Sequence, residues 1–407
     1  MSTAAATLRT NFGNVRRLLP NWVWGLAFLG LAIAYPALVR QFASDDLLDA
    51  SIQTLAYIIM ALGLNIVVGF AGLLDLGYVA FFAIGAFVIG WLGSQQFSTV
   101  AGGKGIHILT PEKSPFGSAL PGIHVNFFLV IFIAAIFTAI WGVILGAPTL
   151  RLRGDYLAIV TLAFGEIVPR VFENSTSGIF GIGHTNFSNG RQGITPIDKI
   201  NLPWSDTAFK SLELTKFYFV GLAMVLLVIF FNRRLRDSRL GRAWIAVRED
   251  EVAAAAMGVN LVRTKLWAYA IGASLGGFAG VFLGTYNNTV NVDQFEFGVS
   301  VFILCMVIIG GMGNIWGVIL GAIALSMMNR FGLPKLNGIP DAFGLDFDVT
   351  SINFGIFGFF LLVMMVLRPE GFLPSSRRKL ELHEAELDES DLVGGGSDDQ
   401  LYEVRQA

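Results

Sequence analysis

Ala61-Leu-Gly-Leu-Asn-Ile-Val-Val-Gly-Phe-Ala-Gly-Leu-Leu-Asp-Leu-Gly-Tyr-Val-Ala-Phe-Phe-Ala-Ile-Gly-Ala86 holds one charged residue, Asp75, between two apolar stretches. A soluble helix would show a polar face at helical spacing, and this stretch shows none, so both halves read as helices embedded in lipid. Asp75 and the glycines beside it mark a tight turn, which makes the stretch two membrane spans meeting at one surface.

The same pattern extends in both directions. Apolar runs recur at Trp22–Val39, Ile52–Phe70, Leu76–Gly93, Val125–Ala147, Tyr156–Phe172, Phe217–Phe231, Leu266–Tyr286, Val299–Gly311, Ile315–Met328 and Asn353–Leu367. The chain is 54% hydrophobic and 14% charged, too few charges to cover a soluble surface, and its mean hydropathy is +0.64. The expected fold is an all-α polytopic transmembrane bundle of about ten spans, eight if short runs fail to cross. The runs meeting at Gly310-Gly-Met-Gly-Asn314 are short enough for a broken helix or a re-entrant hairpin.

Basic residues set the orientation, because basic loops stay cytoplasmic. With ten spans one side carries Arg9, Arg16, Arg17, Arg151, Arg153, eight basic residues from Arg233 to Lys265, and Arg368, Arg377, Arg378 and Lys379. The other side is sparser and mixed with acids. Both termini are therefore expected to be cytoplasmic. The first run, with Ala32-Ile-Ala34 near its end, resembles a signal peptide, but the spans that follow favour an uncleaved first helix.

Three regions follow: a basic N-terminus over 1–21, a membrane domain over 22–372 with an inner loop at 232–265, and an acidic tail over 373–407. The tail, Glu-Leu-His-Glu-Ala-Glu-Leu-Asp-Glu-Ser-Asp over 381–391 and then Gly394-Gly-Gly-Ser, buries too little to offset ordering entropy. The outer segments Ser94–His124 and Glu173–Lys216 exceed simple connectors and are expected to fold over the outer mouth.

Enzyme chemistry finds no support. Gly272-Ala-Ser-Leu-Gly276 matches a nucleophile elbow, but it lies mid-span, and His107, His124, His184 and His383 all fall in loops or the tail. No phosphate-binding G-x-x-x-x-G-K-[ST] motif occurs, no His/Cys cluster has metal-ligand spacing, and the lone Cys305 has no disulfide partner. No catalytic residue, metal site or resident cofactor is expected, nor a nucleic-acid partner. If transport is active, its energy comes from another subunit or an ion gradient. Gly272, Gly276, Gly280 and Gly284 recur every fourth residue, as do Gly313, Gly317 and Gly321. At helical spacing each set forms a smooth stripe for close helix packing.

The inner loop is the informative one. Glu249-Asp-Glu-Val-Ala-Ala-Ala-Ala-Met-Gly258 reads as a short, thin helix with acids at its N-terminal end and glycine at its stop. Such a helix fits a groove on a soluble partner; equally, Arg233, Arg234, Arg236, Arg239 and Arg242 could hold the loop as an interfacial connector at anionic headgroups. Candidate path residues are the polar groups within spans, which are costly there: Asn65, Asp75, Tyr78 and Glu166. Glu166 with Arg170 could meet the two ends of a zwitterion or form an i,i+4 ion pair, Asp75 could cap the third helix, and Asn65 could bond a neighbouring helix.

The loop resembles the E-A-A…G coupling loop of ABC importer permeases, with Glu251, Ala253, Ala254 and Gly258 in the matching places. The opening stretch, Arg153-Gly-Asp-Tyr-Leu-Ala-Ile-Val-Thr-Leu-Ala-Phe-Gly-Glu166, Ser238-Arg-Leu-Gly-Arg-Ala-Trp244 and Gly310-Gly-Met-Gly-Asn-Ile-Trp-Gly317 are similar to LivM-type branched-chain amino acid permeases. The resemblance covers most of Leu55–Pro369; the tail and outer loops depart from it. It implies a bacterial inner-membrane subunit that pairs with a homologous, LivH-like permease. Two cytoplasmic ATPases would carry ATP and Mg, and an extracytoplasmic amino-acid-binding protein would deliver leucine, isoleucine or valine. A sister branch importing urea or short amides is the nearest alternative, and an ion-coupled secondary transporter is a more distant one.

Overall fold

The computed structural model describes residues 21–42, 45–99, 102, 105–110, 121–150, 155–176, 178, 185–201, 209, 213–336, 352–368 and 371–373. The basic segment before residue 21, Arg151, Arg153, His184, and the acidic tail beyond residue 373 lie outside them. Helices occupy all ten apolar runs: α1 (Asn21–Phe42), α2 (Asp45–Leu64, continued by a π-helical stretch, Asn65–Phe70), α3 (Val79–Leu92), α4 (Phe127–Thr149), α5 (Asp155–Glu173) and α6 (Leu214–Arg236). Two inner helices follow, α7 (Arg239–Glu249) and α8 (Glu251–Ala256), then α9 (Leu261–Asn287), α10 (Phe297–Gly310), α11 (Ile315–Met327, extended through a π stretch into the short α12, Leu333–Leu336) and α13 (Asn353–Leu367). Among the described residues six helical segments are long and apolar enough to cross a membrane, while α3 and Gly355–Leu367 are apolar but shorter.

Contacts between remote residues sort into two ends of the bundle. At one end Asn65 meets Gly313, Arg248 meets Gly69, and Asn314 donates to the Leu373 carbonyl. At the other end Asp49 takes hydrogen bonds from Tyr286 and Arg330, and Lys199 donates to the Thr285 and Tyr286 carbonyls. Successive membrane helices therefore alternate in direction. The runs meeting at Gly310–Asn314 form a hairpin of two antiparallel helices, in which a Cβ at Gly317 would lie 2.3 Å from the Gly310 carbonyl oxygen.

Helix α9 is the core element, packed on α2, α3 and α4. Its glycines set those distances. A Cβ at Gly272 would lie 2.5 Å from Val67, at Gly276 3.0 Å from Phe81, at Gly280 2.4 Å from the Phe82 carbonyl oxygen, and at Gly284 3.1 Å from Ile89. Lipid supplies no hydrophobic drive between helices, so close backbone approach and its dispersion contacts carry the association.

The second end is capped by β1 (Gly93–Ser94), β2 (Ile106–Ile108) and β3 (Ile123–Val125), in the order β1-β3-β2, with β1 antiparallel and β2 parallel to β3. His124 on β3 is buried, stacks on His107, and places Nδ1 2.7 Å from an Asp198 carboxylate oxygen. Burial by itself would lower the pKa of His124, but the hydrogen bond and charge of Asp198, helped by the Pro121 carbonyl, outweigh it and raise the value. The stabilisation is therefore fully present below the unfolded value of about 6.5 and is lost as pH rises through the folded value. The melting-temperature gap between the native chain and Asp198→Asn should shrink from about pH 6 to about pH 9. A gap that stays constant over that range would refute this account.

Candidate functional site

The inner loop begins with a capped, amphipathic helix. Ser238 opens α7, its Oγ accepting from the Gly241 amide at 3.1 Å. Leu240, Gly241, Trp244 and Val247 fall at helical spacing and turn inward. Trp244 is fully buried and its Nε1 donates to the Thr264 carbonyl at 2.7 Å, tying α7 to the start of α9. Arg248 donates to the Gly69 carbonyl at 2.7 Å, on the π stretch that ends α2. Gly72, at φ +71°, lets the following turn lie against the Arg248 stem. The loop thus grips the core at two points.

Helix α8 is short but closed at both ends. The sequence reading began this helix at Glu249; instead Glu249 ends α7, and the chain breaks at Asp250, which is extended. The Asp250 carboxylate accepts from the Val252 and Ala253 amides at 2.7 and 3.0 Å. At the other end the Gly258 amide bonds the Ala255 carbonyl and the Val259 amide bonds the Ala254 carbonyl, both at 3.0 Å, with Gly258 at φ +85°. That is a Schellman stop, and it needs the glycine. Glu251 pairs with the mostly buried Lys265 at 2.5 Å. Ala254 is buried against the loop, Ala253 is exposed, and Val252 and Met257 stand 76% and 85% exposed. Two bare apolar side chains therefore crown a helix too short to hold its shape without those caps. Spacing had marked Glu251, Ala253, Ala254 and Gly258; it missed Trp244, Arg248 and Lys265, although the inward stripe of α7 was available as a signal.

Three of the four polar span residues are enclosed. Asn65 accepts from the Gly313 amide at 2.9 Å, joining the π stretch to the α10–α11 turn. Asp75 is 2% exposed and accepts from the Gly77 amide at 2.9 Å. It closes a turn ahead of α3 and does not cap that helix, whose N-cap position is Tyr78. Tyr78 is buried and donates to the Gly272 carbonyl at 2.8 Å, in the seam between α3 and α9.

Glu166 differs, lying on the exposed face of α5. Among the described residues it forms no ion pair: Arg170 turns to Glu173 at 2.6 Å, and Glu173 also holds Arg191 at 2.6 Å. The i,i+4 pair considered from spacing gives way to an i,i+3 pair, and the outer loop brings a second guanidinium, Arg191, to the same carboxylate. These groups, with Asp293 and Glu296, line a cleft of 420 Å³ at the second end of the bundle. Ser274, the serine of the elbow-like motif, donates to the Ile271 carbonyl of its own helix. Among the described residues no group of three or more His, Cys, Asp or Glu side chains could hold a metal ion.

Comparison with known proteins supplies the family. Residues 47–367 match the model of the branched-chain amino acid transport system permease component. The permease protein LivM of a high-affinity branched-chain amino acid transport system in Escherichia coli is 36% identical, covering 88% of this chain and 76% of the relative. A probable branched-chain amino acid transport permease LivM of Methanocaldococcus jannaschii is 27% identical over 78% of this chain and 90% of its own length. LivH of Escherichia coli, also a permease of such a system, matches 37% of this chain at 30% identity. No solved structure matches.

Proposed function

The chain belongs to the family of branched-chain amino acid transport permease components, and on that premise we propose that it is the LivM-type permease subunit of an ATP-driven importer of leucine, isoleucine and valine. The observation that carries the reading is α8: a helix capped at both ends, presenting Val252 and Met257 outward and joined to the core through α7. A cytoplasmic ATPase seats this helix in a groove. Closure of two such ATPases on ATP then pushes α8, and the push reaches α2 through Arg248 and α9 through Trp244.

A second, homologous permease completes the path. Helices α5 and α13 both flank α10 and leave apolar side chains bare, among them Tyr156, Ile159 and Phe359. The partner packs on this side, and the Glu166 and Arg170 cleft opens at the joint, where a carboxylate and a guanidinium meet the charged ends of an amino acid. An extracytoplasmic binding protein delivers the substrate over the β-capped end, and both termini lie in the cytoplasm of a bacterial inner-membrane protein.

Uptake of labelled leucine and labelled urea, measured in cells lacking the chain and in the same cells complemented with it, tests the reading. Leucine uptake should return only with the intact chain. Restored urea uptake with unchanged leucine would transfer the assignment to the amide branch, and no change in either would reject both.

A further inference from the structure

Helices α4 and α6 each rest on neighbours of the core yet leave between them a groove of about 1060 Å³, floored by α9. Its walls carry bare apolar side chains, Phe132, Leu227 and Phe231, and its floor is Ile271, Leu275 and Phe278. Lys216 stands at one end and Arg234 at the other, on the same helix. Eighteen residues of helix separate them, about 27 Å, close to the ~30 Å depth of a bilayer's hydrocarbon core. The groove thus runs the depth of the membrane, apolar along its length, with Arg234 at one end and Lys216, paired with Glu213 at 2.9 Å, at the other.

The Arg234 end also holds polar groups. Asn232 lines it but is 1% exposed, and its amide donates to the Val228 carbonyl. Ser238 lines the same end and opens α7, an eleven-residue helix whose N-terminal amides and dipole favour an anion. The apolar walls and the depth suit hydrocarbon chains.

We infer that this groove is a binding site for an anionic phospholipid of the leaflet at the Arg234 end, with phosphatidylglycerol as the probe. The acyl chains fill the space between α4 and α6. The phosphate meets Arg234 and the start of α7. The inference needs only the groove and the membrane setting, and stands whether or not the substrate is a branched-chain amino acid.

Native mass spectrometry of the full-length chain, released from nanodiscs of equal phosphatidylglycerol and phosphatidylcholine, reads the retained lipid directly. Phosphatidylglycerol should be retained in preference. Arg234→Gln should cut that preference about fivefold, the weight of one basic residue at an anionic headgroup. Ala223→Trp, which fills the groove from an exposed wall position, should reduce retention of both lipids. Arg263→Gln removes an exposed cation outside the groove and should change nothing. Equal losses in Arg234→Gln and Arg263→Gln would overturn the site as surface attraction only. A Leu227→Cys cross-link to another protein chain in the assembled transporter would overturn it in favour of a protein occupant.

Discussion

ATP-driven uptake should fall at least about tenfold in Met257→Asp, while the chain still reaches the membrane and purifies as a single species. Met257 is 85% exposed and touches nothing that the fold depends on, so the substitution leaves the bundle intact. Burying a methionine side chain contributes about 1.5–3 kcal/mol, and an aspartate in its place would have to be desolvated in the ATPase groove. The measurement is substrate uptake in vesicles together with co-purification of the ATPase subunits; both should be lost. Unchanged uptake would remove α8 as the docking element, and with it the reason to prefer an ATPase over an ion gradient.

Glu251 acts differently, and a companion substitution separates the two roles. Its carboxylate holds the mostly buried Lys265 ammonium at the foot of α9. Because Glu251 is itself 39% exposed, loss of the pair costs about 1–2 kcal/mol, well below the value for a fully buried pair. Glu251→Ala therefore loosens α8 without unfolding the bundle. Adding Lys265→Met, which removes the stranded charge, restores part of the uptake, whereas no second change at Lys265 restores Met257→Asp. On the proposed function, Met257 would serve docking and Glu251 the rigidity of what docks.

How far residues alone lead depends on whether the determining contact is local. Apolar runs located all ten helices because lipid solvation acts on every residue of a span. The caps of α8 were equally local: acids ahead of an alanine run and a glycine behind it. Asp250 as the capping residue was a finer matter, decided by the break at the end of α7. What remained hidden was tertiary. Nothing near Arg248 points to the Gly69 carbonyl, because the π stretch that offers it lies about 180 residues earlier. Asn65, Asp75 and Tyr78 were singled out as polar groups within or beside spans, a criterion that does not separate a path from a seam. The structure encloses all three; Asn65 bonds the α10–α11 turn, and Tyr78 bonds across to α9. Glu166 lost its expected partner, Arg170, to Glu173 at the end of the same helix, where the outer loop adds Arg191. The groove between α4 and α6 was illegible for the same reason, since its walls come from helices separated by α5 and the long outer segment that follows it.

Gly280→Leu should abolish recovery of folded chain, and its reason differs from that of the other informative glycine, Gly258. A Cβ at Gly280 would lie 2.4 Å from the Phe82 carbonyl oxygen and 2.7 Å from the Ala86 amide nitrogen, both backbone atoms of α3. No rotamer relieves contact with backbone, so α3 and α9 must separate. Separation also opens the neighbouring crossing, where a Cβ at Gly85 would already lie 2.3 Å from the Gly277 Cα. Ordinary overpacking costs about 1–3 kcal/mol when side chains can shift; here the seam itself is lost, and in lipid that close approach is the source of the association. Gly258 has no atom within 4 Å of its would-be Cβ, but its φ of +85° strains any other residue. Gly258→Ala should therefore cost about 1–2 kcal/mol, lowering the melting temperature slightly while the chain still folds. Fluorescence-detected size exclusion separates the two: Gly258→Ala elutes as the native chain does, and Gly280→Leu aggregates or vanishes. A monodisperse Gly280→Leu peak with native stability would show that α3 and α9 are not held at backbone distance, and would undo the packing on which the transmission from α8 depends.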